Sequence, residues 1–296
     1  MDGPIEPNLE QILEFCSRDP IERVFLEDVA RRGLGRFSAF ADDGALSALC
    51  HVGANVVPSG RRCGRFADVA ARGRALMVIG DERAVDELWA ELSTRMPAPR
   101  DDRRGQPVYV IDEPPPPGET GLRQATTDDF EVLLPACAAA HEEEIGVDPL
   151  ARDPDGFGWR TRAQIEERRS WIWRADGTIL FKAEASAWTP SAVQLQQVWV
   201  DPAARGHGYA QRGMRDLVRL LLERAERTIV AVLHSLPIAY LVAAAGGSDP
   251  ARRLPMFAYA EPHELDRAQV EAGVARLARW SKRPKWVNHL GESPNG

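Results

Sequence analysis

The 296-residue sequence predicts an α/β (α+β) protein in which a mixed central sheet is flanked by helices and preceded by a smaller unit. Three observations predict it. Strand-like alternation and helix-like periodicity exchange in the order β-β-α-β-α before residue 97, and that order returns after residue 120. The stretch from Pro97 to Thr120 separates the two, and its run Pro114–Pro117 supplies no backbone donor and favours an extended path. In the second half, one strand passes through a glycine-bearing turn directly into an amphipathic helix.

In the first half the pattern predicts a helix around Ile21–Arg32 and strands near Arg36–Ala41 and Ala45–Val57. A helix near Phe66–Arg72, a strand at Ala75–Ile79 and a helix at Asp81–Met96 follow. Asp81 is placed to cap the last of these, because its carboxylate can accept from free first-turn N–H groups. Val108–Ile111, inside the separating stretch, reads either as linker or as a short edge strand.

The second half begins with a short strand at Leu122-Arg123 and helices at Asp128–Glu144 and Thr161–Arg169. Strands are expected at Trp171–Arg174, Thr178–Trp188 and Val193–Val200. The helix from Ala210 to Glu226 carries Met214, Leu217, Val218 and Leu221 on one face. The uncharged run Thr228–Gly247 reads either as a membrane span or as a buried strand, Thr228–Leu233, followed by a helix from Pro237. His234-Ser235 and Pro237 at its centre favour the second reading. A further helix is expected from Glu261 to Trp280, with the tail beyond Ser281 frayed. The expected division is 1–118, 119–260 and 261–296.

Composition narrows the function. Thirty-seven basic residues against 44 acidic ones give a net charge of −7, which argues against nucleic acid as a partner. The four cysteines and six histidines form no metal-ligand spacing, so the cysteines are read as reduced core residues and no metal is expected. The first ten residues contain no apolar core of a secretion signal, so a cytoplasmic location is expected.

The most informative segment runs from Gln197 to Ala210, Q-V-W-V-D-P-A-A-R-G-H-G-Y-A. A strand leads to a turn at which Gly206, Gly208 and Ala210 carry little or no side chain, and a helix begins there. Successive backbone N–H groups at such a helix start bind anions, and a diphosphate is a natural occupant. The turn is neither a Walker loop, which requires G-K-[ST], nor the dinucleotide G-x-G-x-x-G, because Gln211 holds the last glycine position.

Arg205-x-x-Gly208-x-Ala210, preceded by Val198-x-Val200-Asp201-Pro202, resembles the pyrophosphate signature of the GNAT superfamily of N-acetyltransferases. The resemblance extends to Leu134-Pro135-Ala136, Glu143-Glu144-x-Gly146-Val147-x-Pro149 and Phe181-Lys182-Ala183-Glu184. Gly53-Ala54-Asn55-Val56-Val57-Pro58, Leu88-Trp89 and Arg104-x-Gln106-Pro107 look like an uncharacterised domain that precedes GNAT domains in high-GC bacteria. That first unit resembles a degenerate GNAT repeat, since Arg61-Arg62-Cys63-Gly64-Arg65-Phe66 starts the signature and ends in Phe. A bulky Phe there would crowd a diphosphate, which leaves coenzyme binding to the second half.

The resemblance implies a GNAT fold, acetyl-CoA as co-substrate and a primary amine, small molecule or protein lysine, as acceptor. It implies that the backbone of Val198, Trp199 and Val200 pairs with the pantetheine arm. The N–H groups from Arg205 or Gly206 through His207, Gly208, Tyr209 and Ala210 would then hold the pyrophosphate, with Arg205 either adding charge or standing as a solvated arginine.

Amine acetylation needs a base, and the family often places a carboxylate on the strand before the turn. Here that strand offers only Gln194, Gln196 and Gln197. Glu184 on the adjacent strand is the best substitute, with an ion pair to Lys182 as its alternative, and Glu143 and Glu144 come next. The family's asparagine and tyrosine after the fifth strand align with Ser235 and Val242. Valine cannot protonate a thiolate. Tyr240 is the nearest replacement, although it lies on a different helix face. An acetyl-CoA-dependent N-acetyltransferase is therefore expected, the alternative being a non-catalytic acyl-CoA-binding or regulatory protein on the same scaffold.

Overall fold

The computed structural model describes residues 3–73, 77–96, 108–223 and 228–232, and their alternating apolar residues assemble into two sheets. In the first, β1 (Arg36–Asp42), β2 (Ala45–Val52) and β3 (Asn55–Gly60) are antiparallel, and β4 (Met77–Val78) lies parallel to β3. The continuous strand expected over Ala45–Val57 is two strands. The chain reverses at Gly53-Ala54, where Gly53 N–H donates to the Asn55 carbonyl at 3.0 Å.

Strand alternation sends Ala39, Leu49 and Val57 to one face and Phe40, Ala48, Cys50 and Val56 to the other. Helices α1 (Leu9–Ser17) and α2 (Val24–Arg31) cover the first face, with Ile12, Phe15 and Leu26. Helices α3 (Ala67–Arg72) and α4 (Glu82–Leu92) pack with Phe66 and Leu88 on the second. Asp81 caps α4 as expected, accepting from Ala84 N–H at 3.0 Å. Helix α1 was not expected. Its start is fixed by a reciprocal cap between Asn8 and Gln11, a signal present in the sequence.

The second sheet has the order β5-β10-β9-β8-β7-β6. It comprises β5 (Val108–Ile111), β6 (Arg123–Gln124), β7 (Ser170–Ala175), β8 (Thr178–Trp188), β9 (Ala192–Trp199) and β10 (Thr228–Val232). Val108–Ile111 is thus a strand, antiparallel to β10. Helices α5 (Phe130–Ile145), α6 (Pro149–Arg152) and α7 (Pro154–Glu166) cover one face through Leu133, Cys137, Phe157 and Ile165. α7 begins seven residues before the expected Thr161. Gly156 and Gly158 depress helix propensity, but Pro154 at the first position and the Asp153 cap on Gly156 N–H override it.

Helix α8 (Tyr209–Leu222) covers the opposite face with Met214, Leu217, Val218 and Leu221, the four residues its periodicity picks out. A Cβ on Gly213 would stand 2.6 Å from the Phe181 ring, so glycine sets how closely α8 approaches the sheet. α8 is also the crossover that makes β10 parallel to β9. In both halves, three antiparallel strands are followed by a helix and a parallel fourth strand.

The end of the Pro-rich stretch is tied to α8. Asp216 accepts from Gly118 N–H at 2.7 Å and Thr120 N–H at 2.8 Å, and Arg219 donates to the Pro115 carbonyl at 2.9 Å. The halves meet where α2 lies against β8 and Arg169 grips Asp28 with two bonds of 2.7 and 3.1 Å, both residues buried. All four cysteines are buried and unpaired. Among the described residues no helix is long and apolar enough to cross a membrane. The run beyond Val232 and the expected helix Glu261–Trp280 lie outside the described residues.

Candidate functional site

Strand β9 is irregular where the sequence analysis placed the ligand. Its pairing with β10 runs from Ala192↔Thr228 to Leu195↔Ala231, and Gln196–Trp199 continue without a β10 partner among the described residues. Against β8, Glu184 faces Gln196 and Lys182 faces Trp199, so β9 carries one extra residue. Gln197 takes up that extra residue with φ +53, rare for a side-chain-bearing residue. The bulge brings Gln197 to the α5 face, where its amide donates to Glu144 Oε2 at 2.7 Å.

Beyond β9, Asp201 accepts from Ala203 N–H at 2.8 Å and shapes a short 3-10 turn, Pro202–Ala204. Gly206 and Gly208 then adopt φ +84 and +78, values that glycine alone reaches without cost. A Cβ at either would meet nothing within 4 Å, so conformation, not crowding, demands glycine here. The backbone N–H groups of Gly206 through Ala210 donate to no acceptor among the described residues. They gather at the N-terminus of α8, where the helix dipole is positive. Tyr209 packs edge-on against Trp173 with centroids 5.0 Å apart, and His207 Nδ1 lies 3.2 Å from the Ala204 carbonyl.

Arg205 is not a free charge. Its Nε donates to the Val200 carbonyl at 3.0 Å, and its terminal nitrogen reaches both oxygens of Glu143 at 2.8 and 2.6 Å. Glu143 also accepts from Trp199 Nε1 at 3.2 Å. The C-terminal end of α5 therefore braces both β9 and the glycine turn.

Glu184 takes the ion-pair alternative. Lys182, fully buried, donates to Glu184 Oε1 at 2.9 Å and to Cys137 Sγ at 3.2 Å, and the Cys137 thiol donates to the same oxygen at 3.1 Å. Burial alone would raise the Glu184 carboxyl, but the charge and hydrogen bond of Lys182 outweigh it and hold it below the ordinary range. A base that works near neutral pH needs the reverse, a raised value. Burial pushes the Cys137 thiol up to about 12, so it stays protonated. Ser235, Tyr240 and Val242 lie outside the described residues.

The corresponding turn of the first half is filled from within. Phe66 is wholly buried against Phe40, with centroids 4.9 Å apart, and Cys63 N–H donates to Glu87 Oε2 at 2.7 Å. An internal carboxylate thus satisfies an amide at that turn.

Two features escaped the sequence reading although signals existed. The apolar alternation Val193, Leu195, Val198, Val200 slips by one residue at Gln196-Gln197, which marks the bulge. Cys137, His141 and Glu144 stand at i, i+4 and i+7, so they share the face of α5 that meets the sheet. Among the described residues no group of metal-ligating side chains occurs.

Comparison with known proteins agrees with this architecture. Residues 135–239 match the acetyltransferase (GNAT) family, and residues 35–133 match a domain of unknown function, DUF4081. No curated protein matches the chain. A Drosophila protein of solved structure is similar with a TM-score of 0.53 at 13% identity, over 86% of this chain and 97% of that one. A GCN5-related N-acetyltransferase from Sphaerobacter thermophilus is similar with a TM-score of 0.51 at 16% identity, over 85% and 92%. Residues 135–239 therefore form a domain of the GNAT acetyltransferase family, preceded by a domain of unknown function.

Proposed function

We propose that the second half binds acetyl-CoA at the glycine turn and transfers its acetyl group to a primary amine, of a small molecule or a protein lysine. The observation that carries this reading is the row of amides from Gly206 through Ala210 that meet no acceptor among the described residues, set just beyond the end of β9. Five backbone donors at a positive helix end suit the negative charge of a diphosphate. The residues fit the ligand, because nothing in the described chain fills the space over Gly206 and Gly208.

In this reading the backbone of Val198, Trp199 and Val200, which has no β10 partner among the described residues, pairs with the pantetheine amides. Arg205, already neutralised by Glu143, positions the turn instead of meeting phosphate. Tyr209 and His207 contribute backbone only. Ser235 would sit beside the coenzyme, and Tyr240 is the candidate proton donor to sulfur. Coenzyme belongs to the second half alone, since Glu87 occupies the equivalent turn of the first. The proposed division of the chain is 1–118, 119–260 and 261–296, and a cytoplasmic location is part of the same proposal.

Thiol release from acetyl-CoA in the presence of spermidine, tyramine and a lysine peptide tests the reading. Turnover with any of them supports acetyl transfer. Thermal stabilisation by acetyl-CoA without turnover instead gives the acyl-CoA-binding protein, a reading favoured by the engagement of Glu184 with Lys182. Absence of both effects overturns the assignment of the site.

A further inference from the structure

We propose that His141 is the general base of the transfer, taking the proton from the acceptor ammonium. The inference rests on the acetyl-transfer reading and names the residue that the carboxylates leave unfilled.

On the sheet-facing side of α5, Cys137 touches Glu184 and Lys182 of β8, and Glu144 touches Gln197 at the bulge of β9. His141 lies between them, one turn from each. It is therefore held over the sheet between the buried ion pair and the bulge. Its ring is half-buried and meets Phe157 edge-on at 5.8 Å, which fixes the ring without using a nitrogen. Neither ring nitrogen has a hydrogen-bond partner among the described residues. The acids nearby are already committed: Glu184 to Lys182, Glu143 to Arg205, and Glu144 to Gln197.

Burial and the charges around the ring together favour its neutral form. Burial is the strongest influence and lowers its affinity for a proton, and Arg160 of α7 and Arg152 of α6 add to that. Glu144 on the same helix and Glu184 on β8 oppose them without prevailing. A neutral imidazole can accept a proton at pH 7, whereas a carboxylate paired with lysine is a weak acceptor.

The proton balance closes. His141 takes one proton from the ammonium, leaving a neutral amine whose lone pair forms the N–C bond at the thioester carbonyl. The C–S bond then breaks, its electron pair leaves on sulfur, and the second nitrogen proton goes to that thiolate. The imidazolium returns its proton to solvent, so the products are amide, thiol and one free proton.

The test uses the full chain, with acetyl-CoA and the same three amines as probes. His141→Gln and His141→Ala should lower kcat roughly a hundredfold while leaving acetyl-CoA affinity unchanged. Both should abolish the acidic fall in kcat/KM that protonation of a histidine base produces, and added imidazole should restore part of the rate of His141→Ala. Variants that keep the parental kcat and acidic limb overturn the assignment, and so do variants that lose acetyl-CoA binding, since His141 is then structural. In either case an active parent leaves the acetyl-transfer reading standing. A parent that binds acetyl-CoA yet acetylates none of the amines removes that reading and the base together.

Discussion

Arg205 of the glycine turn and Glu143 at the end of α5 join through two bonds of 2.8 and 2.6 Å across a sequence separation of 62 residues. The turn that presents the open amides is therefore braced by the C-terminal end of α5. Both residues are partly exposed, at 23% and 29%, so the pair contributes little to global stability. Its consequence is local. Glu143→Gln keeps one acceptor and removes the charge, and it should weaken acetyl-CoA binding about fivefold with a melting temperature close to the parent's. Calorimetry and a thermal melt on the same preparation check this.

Lys182 and Glu184 make the opposite case, because Lys182 is wholly buried. Glu184→Gln leaves an uncompensated ammonium inside the sheet and should cost about 3–5 kcal/mol in urea denaturation. Combining it with Lys182→Met should recover most of that loss. Catalysis through Glu184 predicts instead an active-site defect that the second substitution cannot repair.

Acid should destabilise the protein through the same residue. The folded Glu184 carboxyl lies below its ordinary value of 4.5, so its contribution is present above pH 4.5 and disappears as pH falls through the folded value. Asp129, held far below the carboxylate range first by its hydrogen bond from Arg123, acts in the same direction. Unfolding free energy measured between pH 6 and 3 should therefore decline, and less steeply in Glu184→Gln.

Glu22 behaves in reverse. Burial, and next the charge of Asp81, raise its carboxyl to about 7, and Asp81 Oδ2 is buried without a donor among the described residues. A protonated Glu22 supplies that donor. The stability it contributes is complete below pH 4.5 and is lost as pH rises through 7. Glu22→Gln, which keeps an oxygen for the Ser59 hydroxyl, should raise stability at pH 8 by about 1–2 kcal/mol and have little effect at pH 5.

The fold was legible wherever local pattern and tertiary packing agree. The apolar stripe of α8 and the Asp81 cap appear as read, because each depends on residues within one or two turns. Ala45–Val57 reads as one strand because its apolar residues continue through Gly53-Ala54, and only the pairing of β2 with β1 on one side and β3 on the other reveals the reversal. The site divides in the same way. The glycine turn is encoded by backbone conformation and is visible in a single sequence. The fates of Glu184 and Arg205 are decided by Lys182, Cys137 and Glu143, of which only Lys182 is close in sequence. The bulge at Gln197 had its sign in the slipped alternation, since one extra residue inverts the phase of every apolar position after it.

The most direct test of the account is a calorimetric titration of the full chain with acetyl-CoA and, separately, with S-acetylpantetheine. The second ligand carries the same thioester arm without the nucleotide diphosphate. If the amides from Gly206 to Ala210 hold the diphosphate, acetyl-CoA binds saturably at one site. Acetylpantetheine then binds roughly a hundredfold more weakly, the equivalent of two charge-assisted hydrogen bonds. Equal affinity for the two ligands, or no saturable heat with acetyl-CoA, would contradict it.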